Sequence, residues 1–368
     1  MLELHDLLRF AMEHRGSDLH LKVGSVPHVR VDGHLMVTPF ETATAADTER
    51  IAAAITPEER ADELAETGET DFALSIAGLG RFRVNVFRQR GSVGMVLRRV
   101  LVGMPAFETL GLPSSVNRLA DEQRGLVIVS GPTGSGRTTT VAAMVDHINE
   151  TRAVNIVTIE DPIEVLHADK MAIVNQREIG TDTRDYVSAV RQVLRQDPDV
   201  IVIGELVDDE TVEAALMAAS TGHLVLAVMR TTRAAETVAH LIECFPTFRQ
   251  PNVRQILAGC LRGVISQALL ERADGRGRVP AIEVLVGTSR VFDLVVDPAC
   301  KAAQLEALMA DGDYYGMQTF DQSLLALYKL GLIDLREAIA ASTTPHDLRL
   351  MIEQHTMEEA AQQAAAGN

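Results

Sequence analysis

The residues with the clearest chemistry are Gly131-Pro132-Thr133-Gly134-Ser135-Gly136-Arg137-Thr138. Their types and spacing follow the phosphate-binding pattern G-x-x-x-x-G-K-[ST], with Arg137 standing where the pattern has lysine. In such a loop, successive backbone N–H groups and a helix N-terminus make a concave site for an anion. Glycines let the chain curl round the phosphates with no Cβ in the way. Gly131, Thr133, Gly134, Ser135, Gly136, Arg137, Thr138 and Thr139 are therefore the predicted phosphate contacts. Thr138 is placed to reach a magnesium ion, and the predicted ligand is ATP or ADP with Mg2+. Arginine keeps the charge of lysine but replaces a compact ammonium with a planar, bulkier fork. Nucleotide binding is expected, and turnover is left open.

Four further segments read as parts of one site. Thr158-Ile159-Glu160-Asp161-Pro162-Ile163-Glu164 puts carboxylates at the C-terminal edge of a predicted strand, where ligands bind in parallel α/β sheets. The competing reading is a solvated acidic loop with a helix cap. Glu160 and Asp161 are counted as nucleotide contacts, and Glu164 as both a catalytic acid and, with Thr138, a metal ligand. The run from Asp197 to Glu205 is a strand of β-branched residues ending in a carboxylate. An attacking water needs a base or an orienter, and Glu205 is the candidate, against a surface acid at a strand end. In Thr221-Gly222-His223-Leu224 and the residues that follow, His223 begins a strand and Arg230 ends it. Both are counted as nucleotide contacts, although a lone histidine there is more often structural, and Arg230 either touches a phosphate or makes a surface salt bridge. Along Arg81-Phe82-Arg83-Val84-Asn85, period-two alternation sets Arg81, Arg83 and Asn85 on one face. That face is either merely solvated or offers arginine fingers to a neighbouring subunit's nucleotide, where such a group stabilises charge on the transferring phosphoryl.

These groups need a scaffold. The apolar run at 125–130 reads as a buried parallel strand and 138–148 as the helix after the loop. Strands at 126–130, 155–160, 200–203 and 223–228, with helices between, imply an α/β fold with a parallel sheet covered on both faces. Past residue 247 the pattern is mostly helical, with a strand-like interruption at 280–285. Ahead of this lies a mixed α+β domain over 1–103. Its elements are a helix at 2–14, strands at 18–23 and 27–31, helices at 44–55 and 57–67, and strands at 72–76, 81–88 and 94–100. Asp32-Gly33 suggests a hairpin turn. Residues 104–118, with Pro105 and Pro113, read as a linker, 119–361 as the nucleotide-binding domain, and 362–368 as a frayed tail.

The composition agrees with this organisation. A chain of 368 residues suggests two domains with ample cores, and 46% hydrophobic with 23% charged residues is ordinary for a soluble globular protein. A net charge of −17 argues against unspecific binding to nucleic acid or to an anionic membrane surface. No apolar run approaches the ~20 residues that span a bilayer, and the first residues lack the basic start and apolar core of a signal peptide. Three cysteines without metal-ligand spacing favour a reduced cytosolic chain.

From Leu7-Leu8 to Ile352 the chain resembles the type IV pilus retraction ATPases, the PilT/PilU group of secretion-type hexameric motors. The resemblance rests on the phosphate loop, the acidic stretch 158–164, Asn175-Gln176-Arg177-Glu178-Ile179-Gly180, the run 197–205, and Thr221-Gly222-His223-Leu224. Gly316-Met317-Gln318-Thr319-Phe320-Asp321-Gln322 and Asp347-Leu348-Arg349-Leu350-Met351-Ile352 look more like the PilU branch. The resemblance implies a PAS-like N-terminal domain followed by a RecA-like ATPase domain with a helical C-terminal part. It further implies a homohexamer at the cytoplasmic face of the inner membrane, turning a PilC-type platform protein, with a PilT-type motor as partner and no nucleic acid. The family has lysine at 137, arginine where Val207 stands and a second histidine where Arg230 stands. Three changes around one nucleotide leave a weakened or conditional ATPase, a non-hydrolysing regulatory subunit, and a different RecA-like motor such as a DNA-processing one as the alternatives.

Overall fold

The computed structural model describes residues 2–31, 34–105 and 107–354. The chain forms two units. The first runs to Val102 and takes in Glu164–Leu166; the second runs from Gly103 to Ile163 and resumes at His167.

The first unit begins with α1 (Leu4–Glu13), followed by the strands β1 (Asp18–Lys22), β2 (His28–Val31) and β3 (His34–Val37). Helices α2 (Ala45–Ile55) and α3 (Glu58–Thr67) lead to β4 (Glu69–Ile76), β5 (Gly80–Gln89) and β6 (Ser92–Arg99). The six strands form an antiparallel sheet in the order β3-β2-β1-β6-β5-β4. A side strand, β7 (Leu101–Val102), pairs in parallel with β10 (Val165–Leu166). Thr44 and Asp47 form a reciprocal cap that starts α2, satisfying orphan N–H groups of its first turn. On β5 the residues alternate: Phe82, Val84 and Val86 are buried in the core with Leu7, Leu8, Leu19 and Met95, while Arg83 faces solvent. β2 and β3 pair as the expected hairpin, whose turn residues Asp32 and Gly33 lie outside the described residues.

The second unit opens with α4 (Ser114–Ala120), β8 (Gly125–Ser130), α5 (Arg137–Thr151), β9 (Asn155–Glu160) and β11 (Ile173–Glu178). Next come α6 (Tyr186–Val193), β12 (Val200–Ile203), α7 (Asp209–Ser220), β13 (Leu224–Met229), α8 (Ala234–Glu243) and α9 (Gln250–Cys260). The hairpin β14 (Leu261–Glu271) and β15 (Arg278–Val286) is followed by α10 (Ser289–Val296), α11 (Ala302–Ala310), α12 (Phe320–Lys329) and α13 (Leu335–Ala341). The strands form a seven-stranded sheet ordered β11-β9-β12-β13-β8-β14-β15. It is parallel except for β15, which runs antiparallel to β14. Successive residues of β8 go to opposite faces. Leu126 and Ile128 pack toward α6, α7, α8 and α9, and Val127 and Val129 toward α4 and α5. This is why its strands read as unbroken apolar runs rather than alternating ones.

Three expectations need correcting. Residues 104–118 do not form a separate linker: Phe107 and Val116 are buried in the core of the second unit. The segment after residue 247 is mostly helical and the strand-like interruption at 280–285 falls within β15, but β14 ahead of it, Leu261–Glu271, goes unpredicted. A strand at 173–178 also goes unpredicted. Beyond β15, the C-terminal helices pack on the hairpin, where Phe320, Leu324 and Leu327 meet Leu270, Val279 and Ala281. The expected tail, 362–368, and the end of the expected domain after 354 lie outside the described residues. Among the described residues no helix is long and apolar enough to cross a membrane.

Candidate functional site

The loop between β8 and α5 curls through positive φ at Gly131, Gly134 and Gly136, at 148°, 81° and 90°. A Cβ on Gly131 would lie 2.3 Å from the carbonyl oxygen of Gln267 and 2.5 Å from Ser135 Oγ, so a side chain is excluded there by conformation and by space. Helix α5 starts at Arg137 with no side-chain cap, which leaves its first-turn N–H groups to an anion. Ser135 Oγ is buried and has no hydrogen-bond partner among the described residues. A buried orphan hydroxyl inside a glycine cradle fits a phosphate oxygen. Thr133, Gly134, Thr138 and Thr139 are exposed around the same loop.

Magnesium takes hard oxygen ligands and usually shares them with substrate phosphates. Among the described residues no group of three or more His, Cys, Asp or Glu side chains is arranged to hold a metal. The Thr138 hydroxyl, on the first turn of α5, fits an ion held largely by phosphate.

Arg137 bridges the loop and the sheet through one nitrogen. One guanidinium nitrogen, Nη1, donates to Gly131 O at 2.7 Å and to Met229 O at 3.0 Å, tying the start of the loop to the end of β13. Next to Met229, Arg230 forms a two-pronged pair with Glu205: Nε donates to Oε1 and Nη2 donates to Oε2 at 2.8 Å. Of the two readings for Arg230, the salt bridge is the one formed, and its partner is the candidate water-positioning acid.

Glu160 Oε1 accepts from Thr158 Oγ1 at 2.6 Å and from Gln176 Nε2 at 3.0 Å, while Asp161 is exposed beyond it. Gly204 lets the chain pass close by: a Cβ there would be 3.0 Å from the Tyr186 hydroxyl and 3.1 Å from Ile159 O. Burial pushes the Tyr186 phenol well above its usual pKa, and the nearby charges of Asp161, Glu205 and Glu160 push it the same way. Tyr186 therefore stays protonated where these carboxylates converge.

His223 does not join this group. Leu224 pairs with Gly125 and Met229 with Ser130, so His223 sits at the opposite edge of the sheet from the loop. The strand between them rises about 3.3 Å per residue. Its Nδ1 lies 3.0 Å from Ala218 O and 3.2 Å from Thr221 Oγ1, closing the turn between α7 and β13. Its place is structural, because a parallel sheet presents ligands at one edge only. Arg81, Arg83 and Glu164 belong to the first unit, with Arg83 and Glu164 exposed. The second unit thus gathers the loop with Glu160, Asp161, Glu205 and Arg230.

Four contributors escape sequence reasoning: Tyr186, Gln176, Gln267 and Arg278. Arg278 Nη1 donates to Gly134 O at 3.4 Å, and Gln267 contacts the loop from β14. The hairpin that carries both reads as helix or as a bare strand, so nothing in the sequence aims it at the loop.

The family described as Type II/IV secretion system protein matches residues 3–325. The type IV pilus retraction ATPase PilT of Pseudomonas aeruginosa is 39% identical over 346 residues, covering 94% of this chain and 100% of that relative. The type IV pilus ATPase PilU of the same organism is 40% identical over 351 residues, covering 95% and 91%. A crystal structure of the pilus retraction motor PilT with bound ADP superposes with a TM-score of 0.87 at 43% identity, covering 95% of this chain and 99% of that one. The ATPase DotB of Legionella pneumophila follows at a TM-score of 0.74 and 26% identity, covering 92% and 95%. With its α/β fold, its glycine cradle and a match over nearly its whole length, this chain belongs to the type II/IV secretion system protein family.

Proposed function

We propose that this chain is a PilT/PilU-like, ATP-binding motor subunit for type IV pilus retraction, with hydrolysis slowed by its altered loop. The observation that carries this reading is the buried Ser135 hydroxyl inside the glycine cradle, which has no partner among the described residues; it is supported by a near full-length relative whose structure contains bound ADP. The first unit is read as PAS-like and the second as RecA-like with a helical C-terminal part. The loop N–H groups hold the phosphates, Glu205 orients the attacking water, and Glu160 and Asp161 line the site. The Thr138 hydroxyl would contribute a ligand to Mg2+, which neutralises charge on the phosphates when bound. Arg81 and Arg83 act on a neighbouring subunit's nucleotide, which requires a homohexameric ring; on the face of β5 opposite buried Phe82 and Val84, Arg83 is exposed while Arg81 is half-buried. The ring works at the cytoplasmic face of the inner membrane on a PilC-type platform protein, beside a PilT-type motor and without nucleic acid. The C-terminal segments place the chain nearer the PilU branch, although identities of 39% and 40% do not separate the two.

A second reading, a non-hydrolysing subunit acting through a competent motor, is favoured by the Arg230–Glu205 pair, which occupies the candidate acid. Steady-state phosphate release from the purified ring separates the two. Measurable turnover supports the motor. Absent turnover, with phosphate release after a PilT-type partner is added no greater than that partner and a Glu205-independent contribution account for, supports the regulatory subunit.

A further inference from the structure

We propose that Gln267 is a positioning residue for the phosphate loop, its buried amide fixing which way the loop's N–H groups face. Gln267 lies on β14 and is only 3% exposed. Its Nε2 donates to Ser135 O at 2.6 Å, and its Oε1 accepts from Thr140 Oγ1 at 2.8 Å. Thr140 is equally buried, and its own backbone N–H donates to Gly136 O at 3.0 Å. One side chain therefore links the last turn of the loop to the first turn of α5.

The consequence follows from peptide geometry. In a planar trans peptide the C=O and the following N–H point in opposite directions. Holding Ser135 O against Gln267 turns the N–H of Gly136 away from β14, toward the concave side of the loop. The main-chain carbonyl oxygen of Gln267 meets the other end of the loop, 2.3 Å from where a Gly131 Cβ would sit, and its side-chain Nε2 is 3.0 Å from where a Gly136 Cβ would sit. The same residue thus explains why glycine is needed at both positions. Without the amide, Ser135 O loses its donor, and the Ser135–Gly136 peptide can rotate about Gly136, which tolerates many conformations.

This role rests on the nucleotide-binding reading above. It predicts a defect in phosphate affinity rather than in folding. In Gln267→Leu, of similar size but without either hydrogen bond, affinities for ADP and for inorganic pyrophosphate should both fall roughly tenfold, the scale of one lost network contact. Thr140→Val should move both affinities the same way by less, and the double variant should be non-additive. Calorimetry on the full chain, with thermal unfolding of the nucleotide-free protein alongside, reads these effects. A lower melting temperature with unchanged ADP and pyrophosphate affinity would reduce Gln267 to a core residue and overturn the proposal. Should Gln267→Leu fail to fold, Thr140→Val carries the test, and unchanged affinity in it overturns the proposal equally. Wild-type protein that binds neither probe would overturn the underlying nucleotide reading as well.

Discussion

Replacing Arg137 with lysine should raise turnover and lower the stability of the nucleotide-free protein. The two effects share one cause. The guanidinium rests on Gly131 O at 2.7 Å and Met229 O at 3.0 Å, so reaching a γ-phosphate means leaving at least one carbonyl. Hydrogen bonds from a charged donor contribute about 1.5–3 kcal/mol, and the side chain is only half-buried, so about 1–2 kcal/mol opposes that move. At about 1.4 kcal/mol per factor of ten, this amounts to roughly five- to thirtyfold in rate. A lysine ammonium also follows the γ-phosphate as a point charge rather than as a fixed fork. A restored transition-state donor brings the expected gain to roughly tenfold to a thousandfold. Steady-state phosphate release reads the rate, and thermal unfolding without nucleotide should show the variant less stable by about 1–2 kcal/mol. If Val207 and Arg230 also limit the site, Arg137→Lys alone does little. The triple variant with Val207→Arg and Arg230→His then exceeds the sum of single effects, since the positions share one network. Wild-type turnover already equal to that of a lysine-bearing relative would refute the reasoning, as would a variant neither faster nor less stable.

The other predictions concern the groups around the loop. Arg230→Gln frees Glu205 from an exposed ion pair, so turnover should rise modestly, by no more than roughly fivefold; a fall would show that Arg230 itself serves the reaction. Arg81→Ala combined with Arg83→Ala should lower turnover in the assembled ring while leaving each chain's ADP affinity intact, as read by calorimetry beside phosphate release. Asp321 governs an acid-side stability change: burial raises its pKa, but hydrogen bonds from Thr344, Thr343 and Ser342 outweigh that and hold it below the usual 3.8. Its stabilisation is therefore full above about pH 4 and lost as pH falls through the lower folded value. Asp321→Asn should cost about 1–3 kcal/mol at neutral pH and flatten this acid limb in urea melts.

Much of the site is legible in the sequence because it is local. The loop, its strand and its helix are contiguous, and the β-branched run ending in Glu205 marks both a strand and its functional end. What the sequence hides is long-range. Arg230 and Glu205 are separately visible, but their pairing follows from β12 and β13 lying side by side. His223 shares a segment with Arg230, and only the strand direction shows that they sit at opposite edges of the sheet. Leu261–Glu271 is an apolar run whose periodicity does not distinguish a buried strand from a buried helix. Gly263 marks the difference in the fold: a Cβ there would fall 2.7 Å from Leu119 and 2.9 Å from Leu285 O. With that hairpin unread, Gln267 and Arg278 could not be connected to a loop more than a hundred residues away.

Nucleotide binding and turnover measured on one preparation test the central reading most directly. Titrating the full chain with ADP and magnesium in a calorimeter should give saturable binding, followed in the same sample by ATP hydrolysis that is slow and rises in the Arg137→Lys variant. No heat of binding at millimolar nucleotide, from protein that is folded by its unfolding transition, would contradict it.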